Sequence, residues 1–299
     1  MIVSASRRSD IPAYYAEWLM GRIDAGYCAV RNPFDARRST RVSLAPEDVD
    51  FLVLWTRDPR PIAGRMAELD GRGIRSYVQM TITDYPAAIE PGAPRLGDAI
   101  RAFRELSDKM GSRRVLWRYD PIFVAGGIEP DFHRRGFENI AAALEGATER
   151  VTLSLLDEYA GTASRLFRAG FPGAVFGSEK GSRAAASPPP PYPELLADLA
   201  AIARSRGMLP LACAEPYDLS ALGMEAGACV DRALAESLWG PASGAADGVR
   251  KDLGQRRFCR CLPSVDIGAY GTCPRGCSYC YANRGAGRLA SRGREDESL

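Results

Sequence analysis

Short apolar runs recur along the chain, separated by polar turns and by stretches with helical spacing. The β-rich runs fall at residues 2–5, 51–55, 77–82, 114–118, 151–155 and 208–213. Helix-like segments lie between them, among them residues 96–110, 131–144 and 193–206. Strand alternating with helix predicts a parallel sheet joined by right-handed crossovers. Six or more such units within about 210 residues predict a TIM-like β/α barrel, complete or partial. A doubly wound open sheet is the alternative. The expectation is one barrel domain over residues 1–285, including a cysteine-rich segment at 259–283, followed by a flexible tail at 286–299. The polyproline stretch 187–191 reads as a stiff connector, and the small, polar residues before it as a mobile loop.

Many runs end in polar residues. They lead into Ser6-Arg7-Arg8-Ser9-Asp10, Thr56-Arg57, Thr83-Asp84-Tyr85, Arg118-Tyr119-Asp120-Pro121, Leu156-Asp157-Glu158-Tyr159 and Ala214-Glu215. In a parallel barrel every strand C-terminus opens on the same face, where ligands bind. Arg8, Asp10, Arg118, Asp120 and Glu215 are therefore the candidate catalytic groups. Arginine grips carboxylate or phosphate with two parallel hydrogen bonds, and aspartate accepts hydroxyl or ammonium donors. The competing reading is that polar residues simply begin loops, or that an Arg–Asp network closes the barrel mouth. Asn32-Pro33 and Trp55-Thr56 are further candidates for shaping a pocket. No nucleophile elbow, phosphate-binding P-loop or dinucleotide fingerprint is present.

Composition narrows the class. Apolar residues make up 46% of the 299, so the chain is globular rather than disordered. No apolar run reaches the roughly 20 residues that span a bilayer. The first eight residues open like a strand, with no apolar core of a secretory signal, so a cytoplasmic location is expected. The formal net charge is +2, from 39 basic and 37 acidic residues, which gives no support for strong nonspecific nucleic-acid binding. Basic clusters at Arg256-Arg257 and 284–294 read as solvated surface.

The eight cysteines are unevenly placed. Cys28 stands alone and reads as core. Cys213 and Cys229 are 16 apart, and Cys259, Cys261, Cys273, Cys277 and Cys280 lie within 22 residues. In a reducing compartment such clustering points to metal ligation rather than disulfides. Cys273, Cys277 and Cys280 have the spacing C-x3-C-x2-C. Three thiolates on one loop can hold three irons of a cubane and leave the fourth open. A zinc ribbon is the alternative, pairing Cys277 and Cys280 with Cys259 and Cys261. Cys213, Cys229, Cys259 and Cys261 could also hold a second cluster or a structural zinc. The single histidine, His133, reads as a surface residue on a helix face.

The run Cys273-x3-Cys277-x2-Cys280, with Tyr279 before the last cysteine, resembles the cluster loop of radical S-adenosylmethionine (SAM) enzymes. The resemblance implies a 4Fe–4S cluster whose open iron chelates the amino and carboxylate groups of SAM. Reductive cleavage would then give methionine and a 5′-deoxyadenosyl radical. It also implies a reductant such as flavodoxin or ferredoxin; the candidates to contact SAM are the polar residues Thr56 and Thr83 at the strand ends and Tyr279 in the loop. In that superfamily the loop usually follows the first strand; here it stands at the far end of the chain. SAM-binding residues therefore do not transfer by position. The whole chain also resembles the DUF1848 family, through Ser6-Arg7-Arg8-Ser9-Asp10-Ile11-Pro12, Arg31-Asn32-Pro33-Phe34, Trp55-Thr56-Arg57-Asp58-Pro59, Thr81-Ile82-Thr83-Asp84-Tyr85, Trp117-Arg118-Tyr119-Asp120-Pro121-Ile122 and the cysteine run. That resemblance implies one continuous domain and no assigned reaction.

The leading expectation is a radical-SAM-like enzyme acting on a small-molecule or nucleic-acid substrate, with no membrane partner. The rival is a non-catalytic zinc or iron–sulfur protein that binds a partner or nucleic acid through its basic tail. The ending Cys-x2-Cys-Tyr is similar to the lyases that split a thymine photoproduct in DNA. A metal-dependent hydrolase using Asp and Glu is a weaker rival, since such sites commonly use several histidines.

Overall fold

The computed structural model describes residues 1–33, 35, 37–177, 187–240, 252, 254–283 and 296–299. The loop expected before residue 187, the basic run 284–294 and most of the tail lie outside the described residues. In chain order the elements are β1 (Ile2–Ala5), α1 (Ile11–Tyr14), α2 (Ala16–Asp24), β2 (Tyr27–Arg31), β3 (Ser39–Ser43), β4 (Phe51–Thr56), α3 (Arg60–Ala63), α4 (Met66–Gly71), β5 (Ser76–Thr81), α5 (Leu96–Met110), β6 (Val115–Ile122), α6 (Pro130–Leu144), β7 (Arg150–Leu155), α7 (Thr162–Arg168), α8 (Tyr192–Ser205), β8 (Leu209–Cys213), β9 (Glu225–Gly227), α9 (Arg232–Trp239) and β10 (Val265–Asp266).

The fold is α/β, as the alternation of strand and helix predicts. Eight strands form one sheet in the order β10-β1-β4-β5-β6-β7-β8-β9, flanked by helices. Every neighbouring pair in it is parallel. From β1 to β9 the strands follow one another in chain order, and β10 joins the far edge beside β1. β2 and β3 form a separate antiparallel hairpin that the sequence pattern did not announce.

Period-two alternation divides each strand between two faces. Val3, Leu52, Leu54, Val78, Met80, Val115, Trp117, Val151 and Leu153 pack under the helices in the main core. The helices return matching stripes. On α5 the buried residues Ala99, Ala102, Phe103, Leu106 and Met110 recur at spacings of three and four. Burying a side chain such as Phe103 or Leu106 contributes about 1.5–3 kcal/mol.

The opposite face is mixed. Phe51, Val53, Tyr77 and Leu116 share a smaller cluster with Cys213, Cys229, Cys259 and Cys261. The same parity places the buried polar residues Ser4, Gln79, Arg118, Thr152 and Ser154 on this face. Polar groups buried against a sheet need partners: Ser4, Arg118 and Ser154 have them around the strand ends, and Gln79 Nε2 donates to the Cys229 carbonyl, while Gln79 Oε1 has no partner among the described residues.

Two expectations are corrected. His133 lies on α6 as expected but is fully buried. Its Nε2 donates to the Phe123 carbonyl at 2.8 Å, which leaves Nδ1 to accept from the Tyr119 hydroxyl at 3.0 Å. The last four residues of the expected flexible tail are docked: the Glu297 carbonyl accepts from Ala29 N at 2.7 Å and the Asp296 carbonyl from Trp18 Nε1 at 2.6 Å. Among the described residues no helix is long and apolar enough to cross a membrane.

Candidate functional site

The C-terminal ends of β1, β4, β5, β6, β7 and β8 open into one cavity of about 510 Å³. Seven of the eight cysteines line it; Cys28 is buried elsewhere, in the main core. They fall into two groups.

The first group is the loop that follows β10. β10 is short, but its register beside β1 is fixed: Ser4 pairs with Asp266, and Asp266 Oδ2 accepts from Ser4 Oγ at 2.8 Å and from Arg7 N at 2.7 Å. The chain then crosses the mouth of the cavity. Arg275, buried, binds Asp10 Oδ2 through Nε at 2.7 Å. Arg275 O accepts from Gly92 N at 3.0 Å, and Ser278 N donates to Ile89 O at 2.9 Å. Arg165 on α7 donates to Ser278 O at 2.8 Å and Cys280 O at 3.1 Å. The loop is thus held by segments that follow three different strands. Two glycines permit this path. Gly276 turns the loop at φ +72°, and a Cβ on Gly92 would stand 2.7 Å from Arg275 Cα.

Beneath the loop lies a buried polar network. Arg57 grips Glu90 with both guanidinium nitrogens, each at 2.8 Å, and reaches Thr83 Oγ1 at 3.1 Å. The Tyr279 hydroxyl joins both Arg57 and Glu90. Burial alone would lower the Arg57 pKa; the Glu90 carboxylate outweighs it and raises the pKa, keeping the guanidinium charged. Burial pushes the Cys277 thiol up to about 12, opposed by the Arg57 charge. Cys273 and Cys280 are raised by burial too, but each accepts backbone N–H groups, from Asp10 and Arg275 for Cys273 and from Ala282 and Asn283 for Cys280.

The second group comprises Cys213 at the end of β8, Cys229 just beyond β9, and Cys259 and Cys261 in the coil before β10. Cys213 Sγ and Cys229 Sγ are 3.2 Å apart. Hydrogen bonds continue from Cys229 to Cys261 and from Cys261 to Cys259. Among the described residues no group of three or more Cys, His, Asp or Glu side chains is arranged as a ready metal site.

The family model described as a domain of unknown function, DUF1848, matches residues 2–282. The chain belongs to the DUF1848 family. No curated protein and no solved structure matches it. The DUF1848 match runs from β1 through the loop, so all seven cavity cysteines fall inside it.

Of the residues singled out from sequence, Arg8, Asp10, Thr56, Arg118, Asp120 and Tyr279 line the cavity with the seven cysteines. Thr83 and Glu215 do not. Thr83 donates its hydroxyl to Glu90 at 2.9 Å and so supports the network under the loop. Glu215 accepts from Leu155 N at 2.9 Å and Ser154 Oγ at 3.2 Å, latching β7 to β8. Burial raises its pKa to about 8. Asp10 lines the cavity with its carboxylate already engaged. Oδ1 accepts from Thr56 Oγ1 at 2.6 Å and Ala13 N at 3.2 Å; Oδ2 accepts from Arg57 N at 3.1 Å and Arg275 Nε at 2.7 Å. Its geometry is that of a structural clamp. Asn32 and Pro33 are not in the cavity wall, whereas Trp55 and Thr56 are.

Sequence reasoning missed Arg57, Arg256 and Arg275 as site residues. Each stood in a segment already marked, and the missing signal was the partner. Nothing in the sequence marked Glu90. Arg8 keeps its guanidinium over the Tyr270 ring at 5.3 Å, with no carboxylate partner among the described residues.

Proposed function

We propose that the protein is an iron–sulfur enzyme of the radical-SAM kind on a partial β/α barrel, with its cluster on Cys273, Cys277 and Cys280. The observation that carries this reading is the place of β10. The cysteine loop is last in the sequence, yet it follows the strand at the edge of the sheet beside β1. In the enzymes it resembles, the loop usually follows the first strand. The loop leaves a parallel strand at the start of the sheet order and crosses the face where the other strands end, and this placement supports the reading.

The donor set fits such a cluster. Cys273 and Cys280 accept backbone N–H groups, and Arg57 and Arg165 place positive charge near Cys277 and Cys280. Neutral thiols accept hydrogen bonds weakly, so donors and cations gathered on sulfur favour thiolates. When bound, the cluster would supply an open iron for the amino and carboxylate groups of SAM and an electron for its reductive cleavage.

The chain's own residues divide the remaining work. Arg57, Glu90, Thr83 and Tyr279 fix the height of the loop above the strand ends. Asp10 and Arg275 fix its entry. Asp120 is the carboxylate left for a ligand. It pairs with Arg118 through Oδ2 alone, and its side chain is 28% exposed. Arg8 and the Trp55, Tyr270 and Tyr281 rings complete the wall.

The test is anaerobic reconstitution with iron and sulfide, then dithionite and SAM, with 5′-deoxyadenosine as the readout. The wild type is expected to release it, and Cys277→Ala to fall to background. Reconstituted protein that holds about four irons per chain yet releases none, alone or with cell extract, would overturn the reading.

A further inference from the structure

We infer that Cys213, Cys229, Cys259 and Cys261 bind one metal ion as four thiolates, and that this ion clasps the two edges of the sheet. The inference is independent of what the loop cysteines hold.

The first argument is convergence. Four cysteines from three segments meet, each no more than 7% exposed. Cys213 ends β8 and Cys229 follows β9, at one edge of the sheet. Cys259 and Cys261 lie on the coil that leads to β10, at the other edge. No ladder joins β9 to β10 among the described residues. Leu262 N donates to Val230 O at 3.0 Å, so this coil already touches the β9 side. A metal ion shared by the four sulfurs would close the seam and one wall of the cavity.

The second argument is the donors turned on sulfur. Cys261 Sγ accepts from Cys229 N at 3.2 Å and Val230 N at 3.3 Å, and Cys259 Sγ accepts from Cys261 N at 3.4 Å. Arg118 Nη1 donates to Cys229 Sγ at 2.6 Å, and Arg256 Nη2 to Cys213 Sγ at 3.8 Å. A neutral thiol is a weak acceptor, whereas a metal-bound thiolate is a strong one. Every one of the four sulfurs receives a donor, and two of the donors are cations. Four thiolates on a divalent ion carry two net negative charges, which the two guanidinium groups oppose. The Cys229 backbone is pinned as well: its carbonyl accepts from Tyr77 Oη at 2.7 Å and Gln79 Nε2 at 2.9 Å.

The third argument is spacing. The 3.2 Å between Cys213 Sγ and Cys229 Sγ is too long for a disulfide, whose sulfurs stand about 2.0 Å apart. A tetrahedron with metal–sulfur bonds of about 2.3 Å has edges of about 3.8 Å. The pair has to part by roughly half an ångström to accept one ion. A cubane core would need the sulfurs spread much further around it. Four sulfur ligands select zinc or iron among the common metals.

The test removes the loop site first. A variant carrying Cys273→Ala, Cys277→Ala and Cys280→Ala is expressed and its zinc, iron and sulfide are measured. One zinc or one iron per chain, with no sulfide, is expected; adding Cys259→Ser and Cys261→Ser should abolish it. Replacing the ion with Co²⁺ should give the intense thiolate charge-transfer absorption of a tetrahedral site. Should the multiple variants fail to fold, the wild type answers the same question: bound Co²⁺ should shield Cys213, Cys229, Cys259 and Cys261 from alkylation. No metal in the loop variant, several irons with sulfide there, a Cys213–Cys229 disulfide, or no shielding would each overturn the inference. Failure of the reconstituted wild type to cleave SAM, with this metal retained, would instead count against the loop reading alone.

Discussion

Cys273, Cys277 and Cys280 come from one eight-residue stretch, whereas Cys213, Cys229, Cys259 and Cys261 come from three segments. The first set has two half-buried members, Cys273 and Cys280, and faces the opening; the second is wholly buried between the sheet and α9. The loop is braced from below by the Arg57–Glu90 network, whereas the four thiols receive their donors, Arg118, Arg256 and backbone N–H groups, directly on sulfur. A site that must admit a ligand needs a rim held by something other than its own ligands. A site that only ties segments together can be closed on all sides. The contrast supports chemistry at the loop and a clasp at the buried group.

The largest expected effect separates the two directly. Cys277→Ala should remove one cluster's worth of iron, about four atoms per chain, while metal held by the four-thiol group stays. Joint loss of both would merge the two sites into one and break the comparison.

Next in size is the support under the loop. Glu90→Ala leaves the Arg57 guanidinium buried with its main partner gone. A cost of about 3–5 kcal/mol is expected for breaking such a pair, read as a lower denaturation midpoint with lower iron content. If Glu90→Ala lowered zinc rather than cluster iron, the network would belong to the other group.

A smaller effect is expected from Gly92→Ala. Its Cβ would press on the Arg275 backbone, at a cost of about 1–3 kcal/mol. SAM cleavage should fall more than the four-thiol metal content. An unchanged activity would show that the loop moves freely away from residue 92.

The smallest concerns pH. His133 stands edge-on to Tyr85, whose ring is tilted against Tyr279 of the loop. Burial lowers the His133 pKa from 6.5 to about 4. The unfolded chain therefore binds the proton more readily between these values. Its contribution to stability is complete above about pH 6.5 and is lost as pH falls toward 4. As the chain has one histidine, one imidazole resonance should remain neutral down to about pH 4. A midpoint near 6.5 would place the ring in water and remove the aromatic bed beneath the loop.

The main strands were legible because their side chains obey a period of two and their apolar runs are bounded by turns. β1, β4, β5, β6, β7 and β8 each overlap a run read from the sequence. β9 and β10, with three and two residues, are too short to show any period. The β2–β3 hairpin escaped because Ser39, Thr40 and Arg41 are exposed and give no apolar alternation. That Arg8, Asp120 and the loop cysteines border the cavity was legible, since polar residues after strand ends and clustered cysteines mark those positions. The engagement of Asp10 was not, because three of its four partners, Thr56, Arg57 and Arg275, are brought to it by folding. Nor was the burial of His133, whose partners are Tyr119 and Phe123.

The sequence by itself determined the α/β class, the helical faces and a cysteine-rich loop. These are local properties, set by periodicity, side-chain chemistry and spacing within a few residues. Only the tertiary structure decided that the last strand lies beside the first, that both cysteine groups border one cavity, and that Asp10 is a clamp while Asp120 is left partly exposed. Such facts depend on contacts between residues far apart in the chain. Burial and hydrogen-bond competition settle them, and no local pattern records the outcome.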